Sequence, residues 1–281
     1  MKTAIITDST AYLPKKLRDQ FHIHMIPLSV IVGEETYREE VDLTAGEFYE
    51  EVRAGEKLPT TSQPPIGHFV QLYEQLAKEY DAVVGIYLSS GISGTYQTSI
   101  QAGEMVEGLR VYSFDSEISC GPQGFYALRA AELAQQGRDP EEIIAELEMM
   151  KASTRAYFMV DDLQHLKRGG RLNGAQALIG GLLQVKPLLH FADKKIVPFE
   201  KIRTSKKALK RIVELFEEDY QKGDPLSVVI IHANREAHVQ QWKEELQQRF
   251  PQAEFSLGYF GPVIGTHLGE GAIGMGWMKK P

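Results

Sequence analysis

The sequence predicts an α/β chain of 281 residues in two units, and three observations carry that prediction. Short apolar runs at Thr3–Thr7, Ala82–Leu88 and Leu109–Phe114 alternate with helical patterns, as parallel strands do. Each run ends in a polar turn, namely Thr7-Asp8-Ser9-Thr10, Ser89 to Thr95, and Asp115-Ser116. In open α/β sheets the carboxyl ends of strands face the ligand crevice, so these turns are expected to gather at one edge. The pattern then changes. Lys186 to Arg203 reads as two strands joined by Ala192-Asp193-Lys194-Lys195, and the strands Ser227–His232 and Ala253–Leu257 alternate with helices. This predicts an N-terminal α/β domain over 1–153 and a C-terminal mixed-sheet α+β domain over 154–281. The boundary falls near Ala152–Arg155, between the helix opened by Asp139 and the strand Ala156–Val160. Helix starts are marked by Thr44 with Glu47, a capping-box pair, and by Asp139-Pro140, an N-cap followed by proline at the first helical position.

Composition narrows the functional classes. With 43% apolar and 25% charged residues the chain is expected to be a soluble globular protein. A formal charge of -7 and a pI near 5.7 argue against nucleic acid or anionic lipid as general partners, which require a net basic face. Apolar runs such as Leu226–Ile231 are too short to span a bilayer, and Asp8 falls where a signal peptide needs apolar residues, so a cytoplasmic location is expected. The single cysteine, Cys120, has no basic neighbour in sequence to stabilise a thiolate and reads as a packing residue. His22 and His24 alternate on a strand without a nearby cysteine or carboxylate pattern, so they are expected to face solvent and no metal site is expected.

The densest signal is Gly261 to Gly274, where five glycines surround His267. So many glycines predict a loop that turns tightly or lets something approach its backbone closely. Together with the hydroxyl-rich turns Pro59–Pro65 and Ser89–Thr95 it offers small donors and an imidazole without lysine or arginine, which suits a small anionic or polar head group. Gly91-Ile92-Ser93-Gly94-Thr95 nearly copies a nucleophile elbow, but Thr95 stands where the second flanking glycine belongs. The same turn, leading into a helix over Thr95–Met105, suits an anion cradle or a plain helix cap. His267 is a candidate general base, metal ligand or hydrogen-bond donor to a carboxylate. Asp8 and Asp115 at strand ends read as turn-closing residues. The segment Lys194–Arg211 places eight cations against Glu200 alone, and the helix from Thr204 carries its cations first and Glu214, Glu217 and Glu218 later. That order opposes the macrodipole, so either a docking surface for an acidic partner or a solvated face accounts for it. Arg203 is the leading residue for partner contact.

Taken jointly, Thr7-Asp8-Ser9, Thr61-Ser62-Gln63-Pro64, Leu88 to Tyr96, Leu166-Lys167-Arg168-Gly169-Gly170-Arg171-Leu172 and Gly261 to Gly274 resemble the DegV family of fatty-acid-binding proteins. The resemblance spans essentially the whole chain. It implies a Rossmann-like three-layer N-terminal domain, a C-terminal mixed-sheet domain, and one long-chain fatty acid between them. It implies a carrier without a cofactor and without catalytic residues of its own, one that serves phospholipid metabolism. FakB members of the family present the lipid to a fatty acid kinase, FakA, which makes acyl phosphate; transient membrane contact is compatible with that role. By motif, Thr61, Ser93 and His267 would hold the carboxylate, with Ser62, Gly94 and Thr95 as neighbours, Arg171 near the head group or partner, and Arg203 at the kinase contact. Glu270 stands where the family usually has proline, and a carboxylate there either favours protonated His267 or points away. The rival reading is a phosphotransferase or hydrolase that uses Ser93 and His267.

Overall fold

A computed structural model describes residues 1–55, 58–172 and 186–280. In the first half the strands are β1 (Thr3–Asp8), β2 (Ile23–Ile26), β3 (Ser29–Val32), β4 (Glu35–Arg38), β5 (Thr60–Ser62), β6 (Ala82–Tyr87) and β7 (Arg110–Asp115). The helices there are α1 (Lys15–Phe21), α2 (Ala45–Ala54), α3 (Ile66–Leu76), α4 (Thr95–Gly103), α5 (Cys120–Gln135) and α6 (Pro140–Ser153). The second half contains β8 (Arg155–Met159), α7 (Gln164–Arg168), β9 (Leu188–Ala192), β10 (Lys195–Glu200), α8 (Ser205–Tyr220), β11 (Leu226–His232), α9 (Glu236–Arg249), β12 (Ala253–Tyr259), α10 (Pro262–Leu268) and β13 (Ile273–Lys279).

The first sheet is wholly parallel, in the order β2-β1-β6-β7. Its strands are apolar on both sides because both faces are covered. Ile5, Val84, Ile86 and Phe114 pack with Tyr126 and Ala127 of α5 and Ile143 of α6. Ala4, Ile6, Val83 and Tyr87 pack on the other face with Phe69 and Tyr73 of α3 and Ala102 of α4. This is the expected three-layer arrangement. The capping residues behave as the sequence indicates: Thr44 N donates to Glu47 Oε2 at 2.9 Å, and Asp139 N donates to Glu142 Oε2 at 3.2 Å with Pro140 opening α6.

The second sheet is mixed, in the order β10-β9-β8-β13-β11-β12, with only β11 and β12 parallel. Alternation along β13 assigns its faces. Ile273, Met275 and Trp277 pack with Phe216 of α8 and Val239 of α9, whereas Gly274 and Gly276 lie on the opposite face, Gly274 against Phe158 and Gly276 against Pro122. A Cβ at Gly276 would stand 2.5 Å from Pro122 Cγ, so the missing side chain is what lets the start of α5 lie on the sheet. β13 occupies the middle of this sheet although its two glycines mask it as a strand in the sequence. A third, small antiparallel sheet, β4-β3-β5, was not expected. Its edge strand β5 is the Thr60–Ser62 segment read as a turn.

Two further expectations are corrected. Gly261–Gly274 is not a loop throughout, because Pro262–Leu268 forms α10. Gly265 is tolerated there because α10 presses on α2: a Cβ would meet Tyr49 Oη and Phe48 Cε1 at 2.5 and 3.0 Å. His24 does not face solvent; it is half-buried edge-on against Tyr80, and burial lowers its pKa.

Candidate functional site

The polar turns that end β1, β6 and β7 do meet at one edge. Leu88 N donates to Asp8 Oδ2 at 2.8 Å, and Asp8 also accepts from Thr10 N and Gln123 Nε2. Asp115 accepts from Ser90 N and Ser90 Oγ at 3.0 and 2.5 Å and pairs with Lys194 Nζ at 2.9 Å. Both carboxylates are therefore committed to holding turns. Lys194 sits at the tip of the β9–β10 hairpin, whose turn residues Asp193 and Lys194 are left-handed. Ser89 Oγ donates to Lys194 O at 2.6 Å, and a Cβ at Gly91 would overlap that same carbonyl. The hairpin of the second sheet is thus clasped onto the turn after β6.

Beneath this clasp, between the two sheets, runs a cleft. Its two ends differ in chemistry. One end gathers Thr61, Ser62, Gln63, Ser93, Gly94, Arg171 and His267; the body is apolar, with Leu28, Ile92, Phe158, Ile196, Phe260 and Ile264 among its walls. Six of the seven sequence-predicted ligand residues, Arg171 included, line this cleft. Thr95 lies just behind: it is fully buried, and its hydroxyl meets Ser93 Oγ at 2.8 Å. Arg203 is elsewhere, exposed between β10 and α8.

His267, on the last turn of α10, is the centre of the polar end. Its Nε2 lies 2.8 Å from Thr61 Oγ1 of β5, and its Nδ1 is buried without a hydrogen-bond partner among the described residues. Gly169 packs so closely on the ring that a Cβ there would overlap Nδ1. Burial, reinforced by the charges of Arg171 and His165, pulls the His267 pKa down to about 4, so the imidazole is neutral at physiological pH. Gly94 has a similar reason: a Cβ would overlap the Gln63 side-chain oxygen, whose amide in turn donates to Thr98 Oγ1 at 2.6 Å.

The three hydroxyl and glycine motifs carry no cation of their own, but a residue that the resemblance put near the head group or partner contact does. Arg171 brings a guanidinium to the cleft, donating to the carbonyls of Ile92 and Gly169, and no carboxylate pairs with it among the described residues. No linear pattern in the three hydroxyl and glycine motifs announces that neighbour. Glu270 resolves in one direction. It pairs with Arg53 at 2.9 Å, accepts from Asn234 Nδ2 at 2.9 Å, and plays no part in the His267 shift. The hydrolase arrangement does not assemble: Ser93 is bonded to Thr95, His267 to Thr61, and no Ser93–His267 hydrogen bond is present. Cys120 lines the cleft wall as a buried thiol, pushed by burial up to about 12, which leaves it protonated. No cluster of three or more metal-ligating side chains occurs among the described residues.

The cleft is apolar over most of its wall and polar where Thr61, Ser93, Arg171 and His267 meet. Comparison with known proteins places the chain in a lineage: a model of the DegV family matches residues 2–280, and the chain belongs to that family. It is 61% identical to protein DegV of Bacillus subtilis, over all of both chains. The crystal structure of B. subtilis DegV, described as a fatty acid binding protein, superposes with a TM-score of 0.96 and full coverage of both chains. A DegV family protein from Thermus thermophilus, described by its fatty acid binding, is 32% identical with a TM-score of 0.92, again over both whole chains.

Proposed function

We propose that this protein binds one long-chain fatty acid in the cleft and presents its carboxylate to a fatty acid kinase for acyl phosphate formation, acting as carrier and co-substrate rather than as an enzyme. The observation that carries the reading is the one-ended polarity of the cleft. Burying about fourteen methylenes contributes on the order of 11 kcal/mol gross at ~0.8 kcal/mol each, before the costs of ordering the chain. The tail alone then accounts for most of the affinity, and the head-group residues need only orient the carboxylate.

In this reading Thr61 and Ser93 donate their hydroxyls and neutral His267 donates from Nε2, with Ser62, Gly94 and Thr95 shaping the turn. Arg171 supplies the positive charge that offsets the carboxylate from the side of Ile92. Arg203 belongs to the kinase contact; with Lys201, Lys206 and Lys207 it makes four cations at the start of α8 that form no ion pair among the described residues. The units 1–153 and 154–281 act as the two jaws around the lipid, in the cytoplasm. The test is mass spectrometry of lipid released on denaturation in organic solvent, with kinase assays on the loaded protein. Near-stoichiometric fatty acid is expected, and Thr61→Val with Ser93→Ala should lose at least about tenfold in retention, the scale of one or two charge-assisted hydrogen bonds. A protein that carries no lipid and takes up neither oleate nor palmitate would sink the proposal.

A further inference from the structure

The cleft ends against a thin partition. Ile118, Ala156, Tyr157 and Phe191 line both the cleft and a separate surface groove rimmed by Lys151, Arg155 and Lys194. Along β8 this partition lies away from His267. His267 lies against Gly169, just past α7, which follows the C-terminal end of β8, whereas Ala156 is near the start of that strand. The four steps from Val160 back to Ala156 span roughly 13 Å at the usual rise of a strand.

Strand alternation then says which side chain closes the partition. Tyr157 turns away from the cleft, its ring 5.8 Å from His190 and 5.6 Å from Trp277 on the far face of the sheet. Ala156 and Phe191 are on the near face, where both pack against the cluster that contains Ile118. Ala156 has only a methyl group to offer. Of the hairpin's bulky pair at this position, Ile196 and Phe191, only Phe191 lines both the cleft and the groove, with its ring 6.3 Å from that of Phe158.

Resting on the fatty-acid reading of the cleft, we propose that Phe191, seated over Ala156 and beside Ile118, is the tail stop and sets the longest acyl chain the protein accepts. A chain that reached past it would put its methyl end into the charged groove, where each added methylene meets water. A chain that ends short of it leaves an apolar void, so the preferred length is bounded from both sides.

Delipidated protein would be loaded with an equimolar series of straight-chain saturated fatty acids from dodecanoate to behenate, and the bound species read by native mass spectrometry. Phe191→Ala should move the preferred length upward by about two to four carbons, which is what the space of a lost phenyl group admits. Ala156→Leu should move it downward. If Phe191→Ala fails to fold, Phe191→Leu and Ala156→Leu decide by the same readout. Variants that keep lipid and also keep the wild-type length distribution would overturn the tail-stop assignment and leave the fatty-acid reading standing. A wild-type protein that takes up none of the series would overturn that reading, and the tail stop with it.

Discussion

Two buried polar clusters grip opposite ends of α10, and they differ in how completely they are satisfied. At its start the fully buried Glu39 accepts from Ser9 Oγ at 2.5 Å, Tyr12 Oη at 2.9 Å and Val263 N at 2.7 Å, while Ile264 N donates to Tyr12 Oη at 3.2 Å. At its end His267 holds Thr61 with one nitrogen and leaves the other unpartnered among the described residues. Buried polar groups are normally all paired, so the closed cluster reads as a structural joint, whereas the Thr61–His267 pair lines the cleft and is where the proposed function seats the carboxylate. The seven residues of α10 therefore connect a weld to a socket.

The comparison breaks most visibly at the weld. Glu39→Ala would leave three donors buried without an acceptor, and a loss of about 3–5 kcal/mol is expected in urea unfolding. A cost near that of an ordinary surface substitution would show that the cluster is not a joint at all.

The two ends should also respond to pH with opposite sign. Burial raises Glu39 from its ordinary 4.5 to about 8 despite its three donors. Its contribution is therefore fully present below pH 4.5 and is lost as pH rises toward 8. His267 is lowered from 6.5 to about 4, so its contribution is present above pH 6.5 and is lost as pH falls toward 4. Each limb is expected to amount to a few kcal/mol across its window. Stability measured against pH should lose its alkaline decline in Glu39→Gln and its acidic decline in His267→Asn; variants that reproduce the wild-type profile would contradict the assignments.

The smallest effect on the fold, and a selective one on the socket, is expected from Gly169→Ala. The added Cβ must displace the His267 ring, so fatty acid retention should drop by roughly tenfold while the unfolding midpoint shifts little. Equal losses in both measurements would mean that the ring is part of the joint rather than of the site.

Much of the fold was legible because local chemistry and tertiary environment agree. β1, β6 and β7 begin and end within about a residue of their apolar runs, since strands buried on both faces must be continuously apolar. The hairpin turn 192–195 and the caps at Thr44 and Asp139 were legible for the same reason. The failures share a different cause. β5 and β13 are strands whose residues, Thr60–Ser62 and the Gly274/Gly276 pair, carry turn chemistry, and pairing with β3 and with β8 and β11 overrides it. In β13 the alternation of glycine with Ile273, Met275 and Trp277 was itself a period-two signal. The candidate head-group residues, Arg171 included, were readable as motifs, but Glu39 at the other end of α10 was not. Its partners lie tens to hundreds of residues away, and nothing in the local sequence marks a carboxylate as buried.

That separation governs when the site can come into being. Val263 reaches Glu39 across 224 residues and Ile264 reaches Tyr12 across 252, and Thr61 meets His267 across 206. A growing chain, lengthening at ~5–20 residues per second, can assemble its parallel sheet well before α10 emerges. Thr61 and His267 cannot meet until residue 267 is free to fold back. Under the proposed function, a chain that has not yet made α10 offers a lipid nothing to hold its head.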